Sequence, residues 1–246
     1  MDSHARASIN LDVIAANVAA VRERVAPTAV MAVVKAGGYG HGAVPAARAA
    51  VRGGADWLGV VHVAEALELR AAGIDSPLLC LMAIASDDHP AAIAAGVDLS
   101  AGSVGMVRRL ATAAAEAGGP GRPARVHLKA DTGMGRGGAT AADWPRVLDA
   151  ASEAEAAGLL SVAGLWSHFA SADEPGNTSV AAQLAAFEAA LDVAKKLGVT
   201  PEVRHIANTA ATLEVTEARY DLVRVGGGIY GLSTLPGGAP RWSTST

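Results

Sequence analysis

The stretch AVVKAGGYGHG, residues 32–42, sets one lysine, Lys35, at the end of an apolar run and follows it with glycines, Tyr39 and His41. The methylenes of such a lysine tolerate burial but its ammonium does not, so it must find a partner, reach water or lose its proton. A partly desolvated neutral amine is the form that makes a Schiff base with a carbonyl cofactor. A lysine that snorkels from a strand end is the plainer alternative. Further polar residues stand at similar junctions: Lys129, Asp131 and Arg136; Ser167 and His168; His205, Asn208 and Thr209; then Arg224 with Gly226, Gly227 and Gly228 behind it. Consecutive glycines let backbone N–H groups approach an anion, and the Thr209 hydroxyl could join them. A tight turn would need the same glycines.

These junctions fall where short apolar runs give way to helical patterns, the alternation of parallel βα units. Strands are expected at 30–34, 57–61, 78–82, 97–100, 125–129, 162–168, 202–206 and 221–225, with a helix at 12–24 ahead of the first. Helical segments at 64–72, Val104–Ala117, 142–157 and 180–197 separate them. Gly73, Gly118, Gly158 and Gly198 stand where left-handed residues close helices. Eight units in a chain of 246 residues predict an α/β fold of the (β/α)8 TIM-barrel type, whose typical length is about 250 residues. A doubly wound sheet is the second choice. In a barrel the chemistry sits where strands end and βα loops begin, which would bring the polar junctions to one mouth.

Composition narrows the function classes. Hydrophobic residues make up 51% but aromatics only 4%, so the core must be built from Ala, Val, Leu and Ile. The net charge of −4 comes without a basic block, which argues against nucleic acid or an anionic membrane as partner. No stretch approaches a membrane span, and the single cysteine, Cys80, inside LLCLM, reads as a core residue in a reducing, cytoplasmic setting. His62 and His89 lack metal-like partner spacing, and Trp57 and Trp166 read as core or barrel-mouth packing.

Five motifs in order, VVKAGGYGHG (33–42), HLKADTGMGR (127–136), WSHFASADEP (166–175), RHIANTAAT (204–212) and LVRVGGGIYGLS (222–233), resemble the N-terminal barrel of the alanine racemases, fold-type III enzymes that use pyridoxal 5′-phosphate. The resemblance implies that Lys35 carries the cofactor and acts as base on one face of the substrate Cα. It implies that Tyr39, Asn208, Thr209 and the backbone of Gly226 and Gly227 hold or line the phosphate, and that Leu81 lies against the cofactor. Arg224 would face the pyridine nitrogen with His168 in support. Arg136 would reach the phenolic oxygen and the substrate carboxylate. Lys129, carbamylated in some relatives, would orient Arg136; unmodified, it would set two cations side by side. The implied substrate is alanine, the implied product route peptidoglycan precursors, and the full-length family is dimeric.

The sequence also departs from the pattern. Gly37 and Gly38 stand where the family has a polar residue and alanine, and Gly227 and Gly228 replace Ile-Ala or similar; each is expected to loosen its loop. Thr209 replaces the commoner serine. The barrel is expected over residues 1–233, with 234–246 as a tail where relatives pass into a C-terminal β domain that carries a second catalytic tyrosine. Tyr220 and Tyr230 do not match that domain's motifs. A pyridoxal-phosphate carrier without catalysis is therefore an alternative, although 129–136 and 204–212 look like the racemases. A decarboxylase of the same barrel class would put a carboxylate where Arg224 stands.

Overall fold

The computed structural model describes residues 8–232. Eight parallel strands form one sheet: β1 (Ala29–Val33), β2 (Trp57–Val60), β3 (Leu78–Cys80), β4 (Asp98–Ala101), β5 (Ala124–Lys129), β6 (Leu160–Trp166), β7 (Val203–His205) and β8 (Leu222–Val225). Their order is β7-β6-β5-β4-β3-β2-β1-β8, so the two ends of the sheet are consecutive in sequence. Across that seam Asp221 N donates to Arg204 O (3.2 Å) and Arg224 N to Ala207 O (3.0 Å), nearly closing a barrel. The Arg204 guanidinium reinforces the seam on the Asp221 carboxylate (2.7 Å).

Helices wrap the outside: α1 (Leu11–Val25), α3 (Ala43–Arg52), α4 (Val63–Ala71), α5 (His89–Ala94), α6 (Val104–Ala117), α7 (Trp144–Ala156), α8 (Ser179–Lys196) and α9 (Thr209–Glu214), while α2 (Lys35–Tyr39) is a single turn in the first loop. Local chemistry starts and stops them. Asn10, Asp88 and Ser103 accept from backbone N–H groups at the starts of α1, α5 and α6. Gly73, Gly158 and Gly198 follow α4, α7 and α8 at φ near +75°, and Gly118 ends α6 at φ +147°. The expected barrel and all eight strands are present, with ends displaced by one to two residues. Leu81 and Met82, expected inside the third strand, still donate to Val60 and Val61 (2.9 and 3.1 Å) beyond the end of β3. Residues 234–246, expected as a tail, lie outside the described residues.

The main core lies between sheet and helices and is packed with small aliphatics. Cys80 belongs to it, and burial pushes its thiol up to about 12. The barrel interior is different. One part is apolar, with Met31, Val33, Leu79 and Leu222 in contact and Leu81 against them. The rest is polar, because β5 alternates Arg125, His127 and Lys129 inward with Val126 and Leu128 outward. A bulge in β6, where Val126 pairs with Val162 but His127 with Gly164, lets Trp166 face the interior beside them. Among the described residues no helix is long and apolar enough to cross a membrane.

Candidate active site

Lys35 stands two residues after the last residue of β1 and opens α2. Ala36, Gly37, Gly38 and Tyr39 have φ between +52° and +64°, so the turn winds left-handed, closed by Gly38 N to Val34 O (2.9 Å) and Gly40 N to Ala36 O (3.0 Å). Here the expectation about Gly37 and Gly38 needs correction. In a left-handed turn glycine removes a steric cost, so these two define the loop's shape as well as adding freedom to the unfolded chain. Glu65, at the start of α4, anchors the turn by accepting from Ala36 N (2.6 Å), Val61 N (2.8 Å) and His62 N (3.1 Å). The Lys35 ammonium is 5.8 Å from the Tyr39 ring centre.

Tyr39 leads across to the glycine run. Gly227 N–H reaches its phenolic oxygen, and a Cβ on Gly226 would collide with that oxygen, so only glycine permits the approach. Thr209 Oγ1 accepts from Gly226 N (3.1 Å), which leaves its hydroxyl hydrogen free to be aimed elsewhere. Asn208 caps α9 through its side-chain oxygen on Ala211 N (3.0 Å) and keeps its NH2 group. The buried Asn17 amide of α1 donates to Ile229 O (3.1 Å), holding the turn Gly227–Tyr230 in place.

Opposite stands a group of cations. Arg224 is buried at the end of β8, and Trp166 lies against its guanidinium at 4.9 Å and against the Lys129 ammonium at 4.7 Å. Burial lowers Arg224 to about 9, which leaves it charged at neutral pH. Burial first, then Arg136 and Arg224, bring Lys129 down to about 8. Burial and the same cations push His168 down to about 2, so it is neutral; its Nδ1 accepts from Arg224 Nη2 (3.1 Å). Arg136 is exposed on its loop.

The lysines, arginines, Tyr39, Trp166, His168, Asn208, Thr209, Gly226 and Gly227 of this site line one cavity of about 970 Å³ at the carboxyl ends of the strands. Each site residue expected from the sequence is there: Lys35, Tyr39, Leu81, Lys129, Arg136, His168, Asn208, Thr209, Arg224, Gly226 and Gly227. Among the described lining residues four carry positive charge and only Asp173 a carboxylate, so the cavity suits an anionic ligand. Sequence reasoning assigned no part to Asp98 or His127, which lie beneath it in the barrel. The alternation of polar residues at 125, 127 and 129 was the available signal. Among the described residues no cluster of side chains has metal-binding composition.

Comparison with known proteins agrees with this fold. Residues 9–234 match the family described as alanine racemase, N-terminal domain. The alanine racemase of Thermobifida fusca is 54% identical over 237 residues, covering 96% of this chain and 63% of that protein. Alanine racemase structures from Streptomyces lavendulae and Streptomyces coelicolor superpose with TM-scores of 0.89 at 50% identity, covering 92% and 93% of this chain and 58% and 60% of theirs. The chain thus spans about three fifths of the length of these relatives.

Proposed function

The chain belongs to the alanine racemase family, and on that premise we propose that its cavity binds pyridoxal 5′-phosphate at Lys35 and serves the racemisation of alanine, supplying D-alanine for peptidoglycan in the cytoplasm. The carrying observation is that Lys35, the Tyr39–Thr209–Gly226 corner and Arg224 converge on one cation-rich cavity. The residues fit the cofactor: its phosphate, and the substrate carboxylate, would supply the negative charge that the lining lacks. Because Gly226 has no Cβ, the Tyr39 hydroxyl can lie against it and be presented at the phosphate corner. When bound, the cofactor supplies an electron sink for the substrate carbon that loses its proton.

The chain's own residues do the rest. Lys35 would hold the cofactor through its amine and, once the substrate's own amino group has taken over that link, its freed amine would remove the Cα proton on its face and return it. Arg224 can only donate, so it would direct a hydrogen toward the ring nitrogen and would leave the ring unprotonated. A neutral ring is a weaker sink, which favours return of the proton to Cα over side reactions. Neutral His168 steadies Arg224 without adding charge. Arg136 takes the substrate carboxylate, and Lys129, as a carbamate, would replace a repulsion beside Arg136 with an attraction. The homodimer of the family is proposed for the complete protein.

Absorbance of the purified chain with pyridoxal phosphate, borohydride reduction and peptide mapping test this reading, paired with a racemisation assay. The pyridoxyl group is expected on Lys35 and lost in Lys35→Ala. Label on another lysine would overturn it.

A further inference from the structure

Among the described residues the buried Arg224 guanidinium has only neutral partners. Nη1 donates to His205 Nδ1 (2.8 Å), and Nη2 faces the carbonyls of Ser167 (2.7 Å) and Ile206 (3.1 Å) and His168 Nδ1 (3.1 Å). The contacts continue down the barrel axis: His205 Nε2 meets His127 Nδ1 (2.9 Å), and His127 Nε2 meets Asp98 Oδ2 (3.2 Å). His127 and His205 are fully buried and Asp98 is 4% exposed.

Donor counting gives these contacts one direction. A guanidinium has no acceptor, so His205 Nδ1 must accept and His205 carries its hydrogen on Nε2. His127 Nδ1 must then accept that hydrogen, which places His127's own on Nε2, pointing at the carboxylate. Any other tautomer would set two hydrogens or two lone pairs face to face. The far end is fixed in turn, since Arg125 Nε holds Asp98 (3.0 Å) and its Nη1 holds Glu202 (2.7 Å). Gly164 at the β6 bulge makes room, because a Cβ there would collide with His127 Nδ1.

We infer that Asp98 and His127, acting through His205, are positioning residues for Arg224: a one-way relay from guanidinium to carboxylate that locks the plane of Arg224. The lock leaves the Nε hydrogen and the second Nη1 hydrogen, which have no acceptor among the described residues, for a ligand in the cavity. The catalytic meaning rests on the proposed pairing of Arg224 with the cofactor ring; the relay itself does not. Mere structural support would need the packing of these side chains but not their hydrogen order.

Nitrogen NMR of the chain labelled in histidine and arginine, without cofactor, reads that order. His127 and His205 should each show a single tautomer with bare Nδ1 and protonated Nε2, and the Arg224 Nη hydrogens should be separately resolved by slow rotation. Either histidine in the Nδ1–H or doubly protonated form overturns the relay. Asp98→Leu, which leaves the His127 Nε2 hydrogen without an acceptor, should merge the Arg224 signals, whereas Asp98→Asn, which keeps an oxygen acceptor, should leave them resolved. Unchanged Arg224 signals in Asp98→Leu would refute the positioning role. If that variant does not fold, Gly164→Ala breaks the link at His127 and must produce the same loss at Arg224. Intact signals with no binding of pyridoxal phosphate would count against the functional reading and leave the relay standing.

Discussion

Two single residues carry much of the site's chemistry, and both can be tested alone. Lys129 has its proton on the folded chain only up to about pH 8, against an ordinary value of 10.5. Between those values the unfolded chain binds the proton that the folded chain has released, so stability rises with pH across that window. Thermal melts of wild type and Lys129→Met from pH 7 to 10.5 should show this rise in the wild type and a flatter curve in the variant. The same shift leaves part of the amine neutral near pH 7, the form that takes up carbon dioxide. Labelled bicarbonate should give a carbamate signal that Lys129→Met lacks. Gly226 makes the second case. Gly226→Ala forces a methyl group against the Tyr39 hydroxyl, and overpacking of this kind costs about 1–3 kcal/mol. Calorimetry should show that loss, and titration with pyridoxal phosphate should show weaker binding; unchanged affinity would remove Tyr39 and Gly226 from the phosphate corner.

Single elements make a sharper comparison in the turn after β1. A Cβ on Gly37 meets nothing within 4 Å, whereas one on Gly38 comes to 3.0 Å from Ala46 Cβ. Both residues are left-handed, which costs an L-residue about 1–2 kcal/mol. Gly37→Ala should therefore lose about that amount in denaturant melts and Gly38→Ala distinctly more; equal losses would show that α3 yields. This turn marks where the sequence ceased to be legible. The glycines in AGGYG were visible, but their left-handed winding depends on Glu65 gripping the backbone from the next βα unit. Strands were legible because each is a buried apolar run whose length is bounded by a loop. Their exact ends were not, since ladder hydrogen bonds such as Leu81 N to Val60 O run past the regular strand. The site residues could be read because they cluster at strand ends. Asp98 escaped because its only local signature is one acid opening a four-residue strand, and its partners Arg125 and His127 come from the neighbouring strand.

Across the whole molecule, a chain of net charge −4 keeps four cations around one cavity, so its field separates an anion-seeking mouth from an acidic exterior. Among the described residues of that mouth Lys35 is the one base that the proposed function assigns to Cα, on one face. Loaded with pyridoxal phosphate, these 246 residues should exchange the Cα hydrogen of one alanine enantiomer with deuterium faster than they interconvert the two. A positioned acid or base contributes roughly 10²–10⁴-fold, and racemisation should trail that of a longer relative by about that factor. Deuterium content and chirality followed in one reaction decide it; racemisation at the relative's rate would place a second base within this chain. The seam between β7 and β8 has a consequence of its own. Among the described residues only two backbone-to-backbone hydrogen bonds cross it, helped by the exposed Arg204–Asp221 pair and by the Arg224 and Thr209 side chains, so its backbone ladder is sparser than those between the other strands. Partial opening there is a separate low-energy excursion, visible in amide hydrogen exchange as early loss of protection at Asp221 and Arg224. A ligand joined to Lys35 on one side of the seam and to Thr209 on the other would act as a clasp, and its arrival should slow exchange at those two amides while leaving the amides between β3 and β4 as they were.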